Sequence, residues 1–136
     1  MWNKIGKEMH SVWKTIPSDL GRLLRNIVLY HNEYKAKEWS VWITMYSLPF
    51  LKNRLPKKYY KNWGLFIKAV KLCQKRIITH DNLSKIQSCL LNFYTYYERE
   101  YYCGLAECLS IMRICIHYML HISESIFQIG PYYTTW

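Results

Sequence analysis

Leu55-Pro56-Lys57-Lys58-Tyr59-Tyr60-Lys61-Asn62-Trp63-Gly64-Leu65-Phe66-Ile67-Lys68-Ala69-Val70-Lys71-Leu72-Cys73-Gln74-Lys75 reads as one amphipathic helix. Tyr60, Trp63, Phe66, Ile67, Val70, Cys73 and Ile77 recur at helical spacing and mark a face that should be buried. At about 100° per residue, Lys57, Lys61, Lys68, Lys71 and Lys75 fall in a narrow stripe on the opposite side. Pro56 suits the start of such a helix, where a backbone donor has no partner inside the helix. A chain organised around this element belongs to the all-α class.

The flanking segments read the same way. Upstream, Trp39, Trp42 or Ile43, and Tyr46 share one face of a helix predicted over about residues 36–46. Pro49 disfavours helical geometry at Leu48, so a break or kink is expected there, with one further turn over about residues 50–54. Downstream, a turn at residues 79–82 separates the lysine-striped helix from the next, which Thr79 or Asp81 can cap. Leu83, Ile86, Leu90, Phe93 or Tyr94, Tyr97 and Tyr101 form the apolar stripe of that helix, and Glu98-Arg99-Glu100 ends it. A last helix is predicted over about residues 105–128, stopped by Gly130-Pro131. Near the N-terminus, Trp2, Ile5, Met9 and Trp13 suit a short amphipathic helix. Pro17 interrupts it, and Ser18 or Asp19 can cap a second one over about residues 20–30.

These elements add up to an irregular bundle of about five helices in a single domain, with residues 1–34 as an N-terminal arm and 35–136 as the main bundle. With 136 residues the chain can bury a real core, and an apolar share of 51% argues against disorder. Five glycines and four prolines are too few for a turn-rich β fold. No internal repeat or long linker divides the chain.

Charge is distributed unevenly. Residues 1–38 hold seven Lys/Arg against four Asp/Glu, residues 39–80 hold nine against none, and residues 81–136 hold three against five. A one-sign block in mid-chain makes a surface that attracts polyanions. Lysines act there as point charges on phosphates and do not read bases. Tyr59 and Tyr60 only flank the stripe, so base stacking has little to stand on. The same stripe reads about equally well as a solvated helix face, and the acid-free run is what brings the nucleic-acid reading level with it.

Enzymatic chemistry finds little purchase. Five cysteines, at 73, 89, 103, 108 and 115, form no C-x-x-C pair, and their odd number in a chain without a secretion signal predicts free thiols in an intracellular setting. His117 and His121 stand at i, i+4 and are the weak metal candidates, with Cys103, Cys108 and Cys115 nearby. Tyr118 occupies the place of the glutamate in H-E-x-x-H, and two histidines packed in a crowded helix is the preferred reading. Glu98, Glu100 and Glu107 are the closest carboxylates, and they sit around a helix end where solvated surface is the default. No catalytic residue and no cofactor is assigned. The stretch 105–122 is largely apolar but is interrupted by Glu107, Ser110, Arg113, His117 and His121, so a membrane span is the minority reading.

A second layer of pattern lies in the punctuation. Ile16-Pro17-Ser18-Asp19-Leu20-Gly21-Arg22 is followed by Lys37-Glu38-Trp39-Ser40-Val41-Trp42, then by Tyr46-Ser47-Leu48-Pro49. Leu55-Pro56 with Tyr59, Tyr60 and Trp63 comes next, then Ile78-Thr79 and Ile129-Gly130-Pro131. In order and spacing these resemble a helical segment of CACTA (En/Spm-like) transposases, from about Ile16 to Trp136. The resemblance implies a helical insertion in an RNase H-like core, between the second catalytic aspartate and the final glutamate. By that likeness the glutamate belongs a few residues beyond the position of Trp136 and the two aspartates upstream of Met1, so the present stretch carries none of them. The family also carries histidines at the spacing of His117 and His121. Two departures fit a degenerating or domesticated copy. Leu23-Leu24 stands where many relatives have Ile-Pro, and the region Cys108 to Cys115 differs from the usual Cys-x-x-Asn-x-His run.

The functional expectation is a transposase-derived helical fragment that is not an enzyme by itself. It binds nucleic acid non-specifically through Lys57, Lys61, Lys68, Lys71 and Lys75, and would be nuclear if DNA is the ligand. The alternative is a helical protein-interaction module with no nucleic-acid role, prone to self-association.

Overall fold

A computed structural model describes residues 1–12, 15, 24–111 and 113–131. Every regular element among them is helical: α1 (Trp2–Val12), α2 (Ile27–Tyr30), α3 (Ala36–Val41), α4 (Ser47–Leu51), α5 (Lys57–Cys73), α6 (His80–Tyr97), α7 (Ile114–Tyr118) and α8 (Ile122–Ile129). The protein is all-α. Short 3₁₀ and π turns join neighbouring elements, so the described residues make seven helical stretches where about five were expected. Residues group into two units, Met1–Pro56 and Lys57–Trp136. Residues 1–34 thus share a unit with 35–56.

In the first unit α1 and α2 meet over Ile5, Met9, Leu24 and Ile27, all buried. Asn26 joins them. Its Oδ1 accepts from the Val28 N–H at 3.0 Å and caps α2, while its Nδ2 donates to the Gly6 carbonyl at 3.2 Å. A Cβ on Gly6 would lie 3.0 Å from both polar atoms of that amide, so the contact needs a residue without a side chain. Of the helix expected over 20–30, the described residues are helical from Ile27 to Tyr30, and Asn26 caps this piece because its side chain reaches the free donor there. Trp13, Pro17, Ser18 and Asp19 lie outside the described residues, as does the 16–22 motif.

Arg25 ties α2 to α3. Its Nε and Nη2 reach the two carboxylate oxygens of Glu38 at 2.9 and 3.0 Å, and its Nη1 reaches Glu33 at 2.9 Å. The Tyr34 hydroxyl donates to the Arg25 carbonyl, and burial pushes the Tyr34 pKa up to about 12. Glu38 also accepts from the Lys35 N–H at 3.0 Å at the start of α3.

Pro49 does not break the chain's path. The helix runs from α3 through a π turn over Trp42–Tyr46 into α4, which contains Pro49. Proline removes a donor and crowds the carbonyl four residues back. The widened turn lies just upstream of it, where the Ser47 N–H bonds to the Trp42 carbonyl. Asn53, at φ 62°, lies in the turn that follows α4.

In the second unit α5 packs on α6. Ala69, Ile86, Cys89 and Leu90 form the buried centre, with Leu65, Phe66, Leu72, Met119, Ile122 and Ile126 against it. Ile67 and Phe93 are also buried, and the rings of Phe66 and Phe93 stand 5.1 Å apart. Thr79 caps α6 by accepting from the Asn82 N–H at 3.2 Å. A π turn over Glu98–Tyr102 follows α6, and Cys103 and Gly104 then take positive φ, 54° and 68°.

The single helix expected over 105–128 is divided. A 3₁₀ stretch spans Ala106–Ile111, Arg113 is extended, and α7 and α8 are separated by a 3₁₀ turn. Leu105, Leu109, Ile114 and Tyr118 are exposed, so most of the first half lacks the packing from which helices draw their stability. The later half, through Met119, Ile122 and Ile126, joins the core, and Gly130 (φ 85°) terminates α8 with its N–H on the Ile126 carbonyl at 2.9 Å. Two further stripe positions also differ from expectation: Ile77 is 79% exposed beyond the end of α5, and Tyr101 is exposed in the π turn.

The core makes a quantitative prediction. Ile86→Ala deletes a fully buried side chain at the α5–α6 contact and should lower the free energy of unfolding by about 2–5 kcal/mol. Ile77→Ala should stay within about 0.5 kcal/mol. Urea denaturation followed by circular dichroism measures both.

Candidate nucleic-acid interface

Lys57, Lys61, Lys68 and Lys71 all lie on α5, and all are exposed. Together they occupy an arc of roughly 80° and about 21 Å of helix length. Lys75 was placed on the same helix by periodicity, but α5 ends at Cys73. Lys75 follows in a turn, with its N–H on the Leu72 carbonyl at 3.3 Å, and it too is exposed. Among the described residues no carboxylate lies within ion-pair distance of any of these five lysines.

The reason lies in where the acids have gone. Glu8 pairs with Arg54, and Glu33 and Glu38 pair with Arg25. Asp81 pairs with Lys85, one turn along α6. Glu100 pairs with Lys58 at 2.8 Å and with Arg99 at 3.2 Å. Because residues 39–80 contain no acid, any partner for α5 must come from another element. Among the described residues only Glu100, carried past the end of α6 by the π turn, reaches one of its lysines.

The pair has a clear electrostatic sign. The hydrogen bond from Lys58 lowers the Glu100 pKa, and the same bond raises that of Lys58. Lys58 is thus neutralised in place, with its Nζ 4.8 Å from the centre of the Tyr59 ring. Tyr59, Tyr96, Tyr97 and Tyr101 gather beside it, with ring centres 4.8 to 6.2 Å apart between neighbours. The Tyr96 hydroxyl is buried without a hydrogen-bond partner among the described residues, and desolvation raises its pKa. Periodicity did not single out Lys58 or Glu100, because their pairing joins residues 42 positions apart.

Helix polarity sharpens the picture. The first turn of α5 holds no acid but begins Lys57-Lys58, at the end where the helix dipole already presents positive charge. Cations there cost an exposed helix about 0.3–1 kcal/mol each, the reverse of what stability alone would select. Glu100 offsets this at Lys58 but not at Lys57. Potential from the chain and potential from the backbone therefore add at that end of the stripe.

The rings of His117 and His121 are 5.3 Å apart on exposed positions, and His121 Nδ1 lies 3.9 Å from a Glu124 oxygen. Among the described residues no three of His, Cys, Asp and Glu come together in a way that holds a metal ion. Cys103, Cys108 and Cys115 are free thiols, and Cys103 Sγ donates to the Arg99 carbonyl at 3.2 Å. Of the three clustered glutamates, Glu100 is committed to Lys58 and Arg99.

Thiol reactivity tests this placement. Burial pushes the Cys73 pKa up to about 11, and Cys89 is buried in the core, whereas Cys103 and Cys115 are exposed. The thiolate is the reacting species. With a slight excess of iodoacetamide at mild alkaline pH, Cys103 and Cys115 should be alkylated first. Cys73 and Cys89 should follow at comparable rate only in denaturant. Peptide mass spectrometry measures the order.

Comparison with models of known protein families, with curated proteins and with solved structures finds no match for this chain.

Proposed function

We propose that this protein binds nucleic acid non-specifically through the cationic face of α5, and that it derives from the helical insertion of a CACTA-type transposase. It performs no catalytic step by itself. The observation that carries the binding reading is the set of five exposed lysines, Lys57, Lys61, Lys68, Lys71 and Lys75, with no carboxylate in ion-pair range among the described residues. The descent rests on the order and spacing of the Trp39/Trp42, Tyr46–Pro49, Leu55–Trp63 and Gly130-Pro131 motifs in the sequence.

The mechanism is counterion release. One strand of a duplex carries a phosphate about every 3.4 Å along the axis, so about 21 Å of lysine-bearing helix spans about six of them. Each phosphate neutralised releases condensed cations, which is the driving force. Lysine ammonium groups do this without reading base edges, so affinity should depend on salt far more than on sequence. DNA as ligand would make the protein nuclear.

A second reading keeps the fold and drops the nucleic acid. Leu105, Leu109, Ile114, Tyr118, Phe127 and Ile129 are exposed, which favours a helical interaction module that covers them against another protein. A membrane span over this region gains nothing from the fold: among the described residues no helix is long and apolar enough to cross a membrane.

Two variants test the primary reading. Replacing the five lysines by glutamine should weaken binding to a mixed-sequence duplex by at least tenfold at low salt. It should also reduce the slope of log affinity against log salt by about 4 to 5, at about 0.9 per phosphate. Fluorescence anisotropy measures both, and an unchanged slope would remove the proposal. Glu100→Gln should act in the opposite direction, since it frees Lys58 and should add about one phosphate contact, whereas Lys58→Gln alone should leave binding nearly unchanged. The interaction-module reading instead predicts self-association that persists at high salt, seen by sedimentation.

A further inference from the structure

The first unit contains a cavity that the lysine face does not involve. Trp2, Ile27, Val28, His31, Trp39 and Trp42 line a space of about 480 Å³. The size lies within the usual range for small-molecule sites, and among the described residues the lining is apolar and aromatic apart from one imidazole. Three of the six tryptophans of the chain converge here from two helices far apart in sequence. Their burial is graded: Trp42 is 4% exposed, Trp39 38% and Trp2 51%. Trp39 is steadied from behind by an edge contact to the Tyr34 ring at 5.2 Å, and Trp42 by a stacked contact to Phe50 at 6.0 Å.

His31 supplies the polar handle, and its tautomer follows from its partner. Nδ1 lies 3.1 Å from the Ile27 carbonyl oxygen, which can only accept, so Nδ1 carries the proton. In the neutral ring Nε2 is then left with a lone pair that can accept a hydrogen bond.

Charge decides between two classes of ligand that indole faces can take. A quaternary ammonium would gain from the ring quadrupoles. Such sites need a positive guest, and residues 1–56 hold nine Lys/Arg against four Asp/Glu. The two carboxylates on the neighbouring segments, Glu33 and Glu38, are both bound to Arg25. A flat neutral guest loses nothing to this field and stacks on the same rings.

We propose that this cavity is a binding site for a neutral, planar aromatic molecule bearing one hydrogen-bond donor, of the phenol or indole class, which stacks on the indoles of Trp2, Trp39 and Trp42 and donates to Nε2 of His31. The proposal is independent of nucleic-acid binding, because the six described lining residues lie in the first unit and the lysine face lies in the second.

The test uses the full chain at pH 8 with 2-naphthol and naphthalene as probes, and equilibrium dialysis as the readout. The wild type should bind 2-naphthol about five- to tenfold more tightly than naphthalene. His31→Ala should abolish that preference while leaving naphthalene affinity within about twofold. Trp2→Ala, at an exposed position, should weaken both probes by about tenfold with an unchanged circular dichroism spectrum. Absence of binding by either probe overturns the proposal, as does binding that neither substitution alters. Tighter binding of tetraethylammonium than of 2-naphthol would also overturn it.

Discussion

The contact between α5 and α6 is the constraint on which the lysine face depends. Ala69, Ile86, Cys89 and Leu90 exclude water at its centre, and Phe66 and Phe93 extend it. Burying that apolar surface is worth roughly 25 cal/mol for each Å² removed from water, and it fixes the rotation of α5 about its own axis. Once the rotation is set, Lys57, Lys61, Lys68 and Lys71 have one direction left, toward solvent. The packing of one side of the helix is what organises charge on the other.

Ion pairing completes that organisation by subtraction. The acids of the chain are few, and most of those in the described residues are held by an arginine or lysine close at hand. Arg25 alone engages two of them while it links α2 to α3. Exposed pairs of this kind add little to stability, with a median of about 0–1 kcal/mol. Their larger effect is to leave the α5 stripe without counter-charges from the described residues. Lys58 is the exception that marks the edge of the stripe, since Glu100 reaches it from the π turn after α6.

Two departures from simple helical patterning share a cause. The π turn over Trp42–Tyr46 appears one turn before Pro49, where it keeps the helix continuous despite the missing donor. The division of residues 105–129 into 3₁₀ and α pieces occurs where apolar side chains find no surface to cover. In both places a strong local signal, a proline or a run of apolar residues, met a condition set by neighbouring elements. The exposed residues Leu105, Leu109, Ile114 and Tyr118 are the visible remainder of that mismatch.

Helical class, the α5 and α6 elements, a cap for α6 at Thr79 or Asp81, the Gly130 stop and the exposure of Lys57, Lys61, Lys68 and Lys71 on one helix were all legible from the linear chain. Each rests on interactions between residues a few positions apart: a side-chain period, a free donor at a helix end, a backbone angle only glycine takes easily. The Lys58–Glu100 pair, the Arg25 link to Glu33 and Glu38, the tryptophan-lined cavity and the break within 105–129 were not legible there. They depend on which distant side chains come to share one small volume, and no local period encodes that. Trp2, Trp39 and Trp42 illustrate the difference: along the chain they mark helix faces, and only folding makes them the walls of a common space.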